Sequence, residues 1–384
     1  MATIRTSCNH LMLIWARNEV GLTVEQASEI LNISIASLKA AEADERPLTL
    51  VQLQKAAKEY DFPLGYFYFS NPPKEKSFEP VPDYRIAPEL IGQELPKLQT
   101  EIRKVRNRRE LYMDLASELG IEVPRFQYYS DARQIDPIRV RDRLGISTLA
   151  LRSMPINQVY GYWKSKIEDD GVLVYESQYI PKASGVIGAA IFYPELPIIL
   201  VKRGGGDKER KLFTLLHEYA HLLMGQSAIN DKQSTLIEDG RNRESSLESV
   251  CNEVASQILV PQELVDVDEY RRMEPQEMMA KLSEHFKVTY STAAVCLKKL
   301  QLISSSSLQK LLQIRQQKHD EEQSAAGRKE IKIPREVISQ LDLGKPMFNV
   351  VLRAYSEGIL DVFDASKLLS LRVNKIDKLV PSAR

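Results

Sequence analysis

The sequence predicts an α+β chain in three parts: an all-helical head, a middle that joins a small sheet to a histidine-bearing helix, and a small helical tail. Three observations carry this. Helical spacing with capping residues fills residues 1–73. Three short β-rich runs bounded by Gly and Pro stand directly before a helical stretch at 212–225. Helical spacing then resumes, past a polar stretch, over residues 328–384.

In the head, Thr23-Val-Glu-Gln26 reads as a capping box that opens a helix through Leu31. Asn32-Ile33 makes a turn, and Ser34 caps a second helix to about Ala43. Apolar residues at Ala27, Ile30, Leu31, Ile33 and Leu38 have the spacing that locks a helix-turn-helix. Leu50, Leu53, Ala56, Ala57 and Tyr60 form the next amphipathic helix, and Asn71-Pro-Pro73 closes the module. Residues 1–73 hold six basic and eight acidic side chains, a balance of −2. The second helix offers Lys39 but no Arg, Asn or Gln to read bases. Weak duplex binding by the head alone is the expectation, and protein contact or homodimerisation stands beside operator binding as its role.

Residues 74–149 read as a proline-rich linker followed by a long helix, Leu98–Leu119. Its basic cluster (Arg103, Lys104, Arg106, Arg108, Arg109) spreads over at least two faces. A solvated face is the plain reading, with nucleic-acid contact as the sharper one. Residues 135–170 are helical again, with Trp163 and Ile167 on an inner face. Gly171–Tyr175, Gly188–Tyr193 and Pro197–Val201 are the three strands, and Gly204-Gly-Gly206 turns into the next helix. No Gly-Lys-Ser/Thr follows these glycines, which excludes a phosphate loop.

The chemistry lies in Leu212-Phe-Thr-Leu-Leu-His-Glu-Tyr-Ala-His-Leu-Leu-Met-Gly225. A spacing of four sets His217 and His221 on one helix face, close enough to share a metal ion. Glu218 then points toward the open side of that ion, as the base of a metal-assisted hydrolysis must. A buried helix whose histidines only hydrogen-bond is the alternative; two imidazoles and a carboxylate on one buried face make it costly. A zinc site with an open position needs a third protein ligand. The stretch Glu248–Pro261 reads as a helix stopped near Pro261. At about 100° per residue, Glu248 aligns with Asn252, Ala255 and Leu259 on the apolar side. Glu253 points away beside Ser249, Ser256 and Gln257, and remains the second choice.

The run Arg210–Gly225, followed 27 residues after His221 by Glu248-x-x-Cys-Asn252-x-x-Ala255 and an apolar-apolar-Pro ending, resembles the ImmA/IrrE family of metallopeptidases. The resemblance covers about residues 150–305 and implies a zincin-like domain. It also implies Zn²⁺ ligands at His217, His221 and Glu248, a catalytic Glu218, and a repressor-like protein substrate. Tyr219 departs from it, since Leu or Ile is commoner there. Residues 1–73 resemble the Xre/Cro-type helix-turn-helix domain often fused in front of such peptidases.

In the tail, Val351, Leu352 and Tyr355 lead to Gly358. Ala365, Leu368, Leu369, Leu371, Val373, Ile376 and Leu379 then fit a second helix-turn-helix spacing. Residues 328–384 carry eleven basic and seven acidic side chains, with Lys367, Arg372, Lys375 and Lys378 near the turn. The tail is thus at least as good a DNA candidate as the head, with a packing accessory for the peptidase as the plainer reading. Ser304–Ser307 starts a polar stretch, and Gln316–Lys329, mostly charged or amide, reads as a linker.

Whole-chain charge balances at 52 basic and 52 acidic residues, which favours no class of partner. No apolar run approaches a membrane span, and three widely spaced cysteines read as reduced thiols of a cytoplasmic protein. Two functions are compatible with the sequence. One is a zinc-dependent endopeptidase that cuts a specific protein such as a repressor or antitoxin. The other is a non-catalytic regulator that binds DNA or a toxin on a peptidase-like scaffold. The residue that would stabilise an oxyanion is open; Tyr179 and Tyr193 are merely near in sequence.

Overall fold

The computed structural model describes residues 8–20, 22–60, 62–72, 94–180, 186–203, 208–231, 245–313 and 334–380. Most of the proline-rich linker, the glycine turn at 204–206 and the polar stretch 316–329 lie outside the described residues. Contacts divide the chain into two units, residues 1–107 with 179–186, and residues 108–178 with 187–384.

The first unit contains α1 (His10–Glu19), α2 (Val24–Leu31), α3 (Ile35–Glu42), α4 (Leu50–Glu59) and a 3-10 turn, Leu64–Tyr68. The capping box at Thr23 forms as the sequence predicts, and Thr49 makes a second one. Leu13, Ala27, Leu31, Leu38, Leu53 and Phe67 share one buried core, so the helix-turn-helix spacing translates directly into packing. The long helix α5, Glu94–Glu118, contributes to both units.

Its basic cluster requires a correction. Arg103, Arg106 and Arg109 are buried rather than presented to solvent or nucleic acid. In the first unit, Arg103 donates to the Tyr60 carbonyl and lies over the Phe62 ring. In the second, Arg109 donates to the carbonyls of Glu195 and Leu196 and stacks 3.9 Å above Tyr193. Arg109 also donates to the Glu110 carboxylate at 3.0 Å. The carbonyls and aromatic faces that hold these guanidiniums are not visible in a charge pattern.

The second unit runs α6 (Pro137–Arg143), α7 (Thr148–Ser153), α8 (Ile156–Asp169), β1 (Leu173–Ser177), β2 (Val186–Ile191), β3 (Ile198–Lys202) and α9 (Lys208–Leu223). It continues through β4 (Ala228–Asp231), α10 (Ser245–Leu259), α11 (Val267–Tyr270), α12 (Pro275–Phe286) and α13 (Tyr290–Lys299). The tail supplies α14 (Arg335–Ser356), α15 (Val362–Leu369) and α16 (Val373–Leu379). The α+β class and the three strands are as the sequence predicts. The sheet, ordered β1-β3-β2-β4, also has a fourth strand whose Ala-Ile-Asn-Asp run carries no alternation to announce it. β1 and β3 are parallel, with Leu173 opposite Ile198; β2 runs antiparallel to β3, with Gly188 opposite Val201. Where the polar stretch starts, the Ser304 hydroxyl accepts from the Ser307 amide and caps a helical stretch over 305–313.

The tail docks on β1 and α8 through charge. Gly344 breaks α14 at φ 74°, ψ 154°, and a side chain there would meet the Val174 carbonyl oxygen at 2.8 Å. This conformation is close to glycine-only, and the close approach requires the missing side chain as well. Beyond the break, the Lys345 amide donates to Glu168 at 3.2 Å, while Lys164 donates to the Leu341 carbonyl at 2.9 Å. Lys164 also lies 3.3 Å from Glu176, which Lys211 reaches at 2.5 Å.

Burial pushes the Glu168 carboxyl up to about 7, since its nearest cation, Lys164, is 3.9 Å away. Burial acts on Glu176 too, but its two lysines leave that carboxyl lowered. A raised native pKa means that the folded state binds the extra proton. The charged form therefore destabilises the fold increasingly as pH rises from about 4.5 to about 7, and fully above that. Glu168→Gln should accordingly raise the unfolding temperature at pH 8 and gain little at pH 5. Melting curves of both proteins at the two values check this, and an equal or larger gain at pH 5 would contradict it.

Candidate metal centre

The centre is assembled from two packed helices, α9 and α10. Leu212, Leu215, Leu216, Ala220, Leu222 and Leu223 bury α9 in the main core, and Gly225 at φ 65° ends it. Cys251, Ala255, Ile258 and Leu259 bury α10 in the same core. Burying both faces turns His217, His221 and Glu248 toward one another.

The Nε2 atoms of His217 and His221 are 3.1 Å apart. Glu248 closes a triangle, with one oxygen 3.1 Å from His217 Nε2 and the other 3.4 Å from His221 Nε2. A tetrahedral ion with ligands at about 2.0–2.1 Å has ligand–ligand edges of roughly 3.3 Å. The donor set therefore fits zinc in kind and in spacing, and among the described residues these three side chains are grouped closely enough to hold a metal. Both imidazoles are fully buried, whereas the Glu248 side chain is 16 % exposed.

Outer contacts hold the donors in the right form. The Asn252 side-chain oxygen accepts from His217 Nδ1 at 2.8 Å, which leaves the Nε2 lone pair facing Glu248. His221 Nδ1 meets the Cys251 sulfur at 3.3 Å, a weak acceptor. Burial pushes the Cys251 thiol far up, with the Glu248 and Glu218 charges adding to it, so it remains S–H. Burial raises the Glu248 carboxyl; imidazoles protonated at Nε2 outweigh this by hydrogen bonding and hold it below the usual range, whereas the form with free Nε2 lone pairs is the one that binds a metal. Asn252 and Cys251 were visible in the sequence as neighbours on the apolar face, without their roles.

Glu253 lies elsewhere. It accepts from Gln257 at 2.6 Å and pairs with Lys299, a partner 46 residues away. Glu218 is fully buried and packs against β2 at Gly188, where an added side chain would meet its carboxyl carbon at 3.0 Å and Thr214 at 2.9 Å. The sequence marks Gly188 only as the start of a strand. Gly188→Ala should overpack this point and cost about 1–3 kcal/mol of stability, with metal content unchanged. Thermal unfolding together with metal analysis tests it; a fully stable variant would show that Glu218 does not depend on this gap. Tyr193, one of the two tyrosines near in sequence, is engaged by Arg109, and Tyr179 is 67 % exposed.

Residues 174–298 match the family model for the IrrE N-terminal-like domain of peptidase family M78, and residues 13–67 match a helix-turn-helix model. The chain carries an IrrE N-terminal-like domain behind a helix-turn-helix domain. The resemblance read from the histidine helix and the Glu248–Ala255 run is borne out. No curated protein matches the chain. Among the described residues no helix is long and apolar enough to cross a membrane. Within the IrrE N-terminal-like domain, Tyr219 has acquired a use of its own. Its buried hydroxyl donates to Asp170 at 2.7 Å and accepts from Arg143 at 2.5 Å, tying α9 to α6 and to the end of α8.

Proposed function

We propose that this protein is a zinc-dependent regulatory endopeptidase that cleaves one specific protein partner, of the repressor or antitoxin type. The observation that supports this most directly is the triangle of two imidazole nitrogens and a carboxylate beside the buried carboxylate of Glu218. His217, His221 and Glu248 would hold the metal. When bound, zinc supplies Lewis acidity and lowers the pKa of water toward neutrality. Glu218 takes the proton from the attacking water and returns it to the leaving amine. Core packing of α9 and the gap at Gly188 fix its carboxyl in place. The accompanying helix-turn-helix domain supports a regulatory setting and a narrow substrate over bulk peptides.

The zinc-loaded chain, incubated with the product of the gene adjacent to its own, should make a single cut visible by mass spectrometry. The Glu218→Gln variant should make none. Cleavage that survives in that variant would remove the assignment of Glu218. The second reading, a non-catalytic DNA-binding regulator, draws its support from the helix-turn-helix match. It predicts an intact partner with both proteins.

A further inference from the structure

Among the described residues one helix-turn-helix geometry occurs three times. In each copy a helix ends on a non-glycine residue in the left-handed region: Asn32 at φ 56°, Lys287 at φ 54° and Ser370 at φ 52°. An apolar residue follows (Ile33, Val288, Leu371), and its amide donates back to a serine carbonyl five residues earlier: Ser28, Ser283 or Ser366. The next residue takes the N-cap position of a second helix: Ser34 before α3 and Thr289 before α13, whose hydroxyls accept a backbone amide, and Arg372 before α16, whose side chain makes no such bond. Five residues past each apolar turn residue stands a fully buried one: Leu38, Ala293 and Ile376. Such agreement in hydrogen bonding, turn conformation and core position makes the tail copy, Asp361–Leu379, a formed helix-turn-helix and not merely a similar spacing.

The three copies differ in what their second helix turns outward. At the cap and at the third, fourth and seventh positions after the turn's apolar residue, the head carries Ser34, Ala36, Ser37 and Ala40. The α12–α13 copy carries Thr289, Ser291, Thr292 and Val295. The tail carries Arg372, Asn374, Lys375 and Lys378, all exposed. Lys367 on α15 is exposed beside them. The carboxylate on α16, Asp377, is engaged by the Tyr355 hydroxyl at 2.6 Å, and Lys375 reaches Glu336 at 2.8 Å.

We infer that the tail helix-turn-helix is a duplex-DNA-binding element, with α16 as the helix presented to the groove. Cations at the cap and along the outward face supply phosphate contacts, which carry most non-specific affinity. Arg372 and Asn374 are the side-chain types that make bidentate contacts to guanine and adenine in the major groove. At these positions the other two copies offer hydroxyls and alkyl groups; the exposed cations of their second helices are Lys39 in the head and Lys298 and Lys299 at the end of α13. This inference does not depend on the peptidase reading.

The test uses the full chain and a fluorescein-labelled mixed-sequence duplex of about 30 base pairs, followed by anisotropy across a salt series. The wild-type chain should bind near 50 mM salt with a steep salt dependence. The variant Arg372→Ala/Lys375→Ala/Lys378→Ala should lose about tenfold in affinity per phosphate contact removed and flatten the salt slope by about 0.9 per contact. Lys378→Glu alone, an exposed change that leaves the core untouched, should weaken binding at least tenfold. The head variant Lys39→Ala/Arg46→Ala should retain most of the affinity. Loss of binding in the head variant with none in the tail variants would overturn the inference, as would absence of duplex binding by the wild type. Equal binding to a protein partner in the wild type and tail variants does not rescue it, because the affinity measured is for the duplex.

Discussion

Alanine at His217 or His221 is expected to abolish stoichiometric zinc binding, whereas Glu218→Gln is expected to keep the metal and lose about 10²–10⁴ in cleavage rate. The difference follows from position. The two Nε2 atoms lie 3.1 Å apart on the triangle that fits the ion, and removing either leaves two donors. Glu218 belongs to the same buried helix but not to the triangle, and glutamine preserves its shape while it cannot take a proton. Metal analysis of the three purified variants, alongside cleavage by the zinc-loaded protein, gives the result. A Glu218→Gln protein as metal-free as the histidine variants would mean that Glu218 is a ligand and the roles are misassigned.

The second large effect separates the two glutamates of α10. Glu248→Ala should weaken zinc binding by more than the roughly 10–100-fold that loss of an outer-shell partner costs. Glu253→Ala removes a half-exposed ion pair with Lys299 and a contact to Gln257. Such surface pairs contribute about 0–1 kcal/mol, so zinc affinity should change less than about fivefold. Competition titration with a chromophoric chelator measures both constants. Equal losses, or the reverse order, would move the third ligand to Glu253.

Much of the candidate site was legible because it obeys local helical rules. A spacing of four joins His217 to His221 without any knowledge of the fold. Phase along α10 separates Glu248 from Glu253, since the apolar side of a helix is readable from Cys251, Ala255, Ile258 and Leu259. The same holds for the head, where Thr23, Asn32 and Ser34 act within one turn of their own position.

What the sequence by itself determined is therefore the class of the fold, and which side chains are the candidate donors and on which helices they stand. Each depends on side chains within a few residues of one another. Tertiary structure alone decided which distant groups meet. It set Gly188 against Glu218, buried Arg103 and Arg109 on carbonyls, and fixed Gly344 and Lys345 of the tail against Val174 and Glu168. It also showed that the tail repeats the hydrogen-bonded turn of the head. Periodicity reports which face of an element is apolar, but not the identity of what lies across the interface. Buried polar groups take their partners from there, and those partners set their charge and their use.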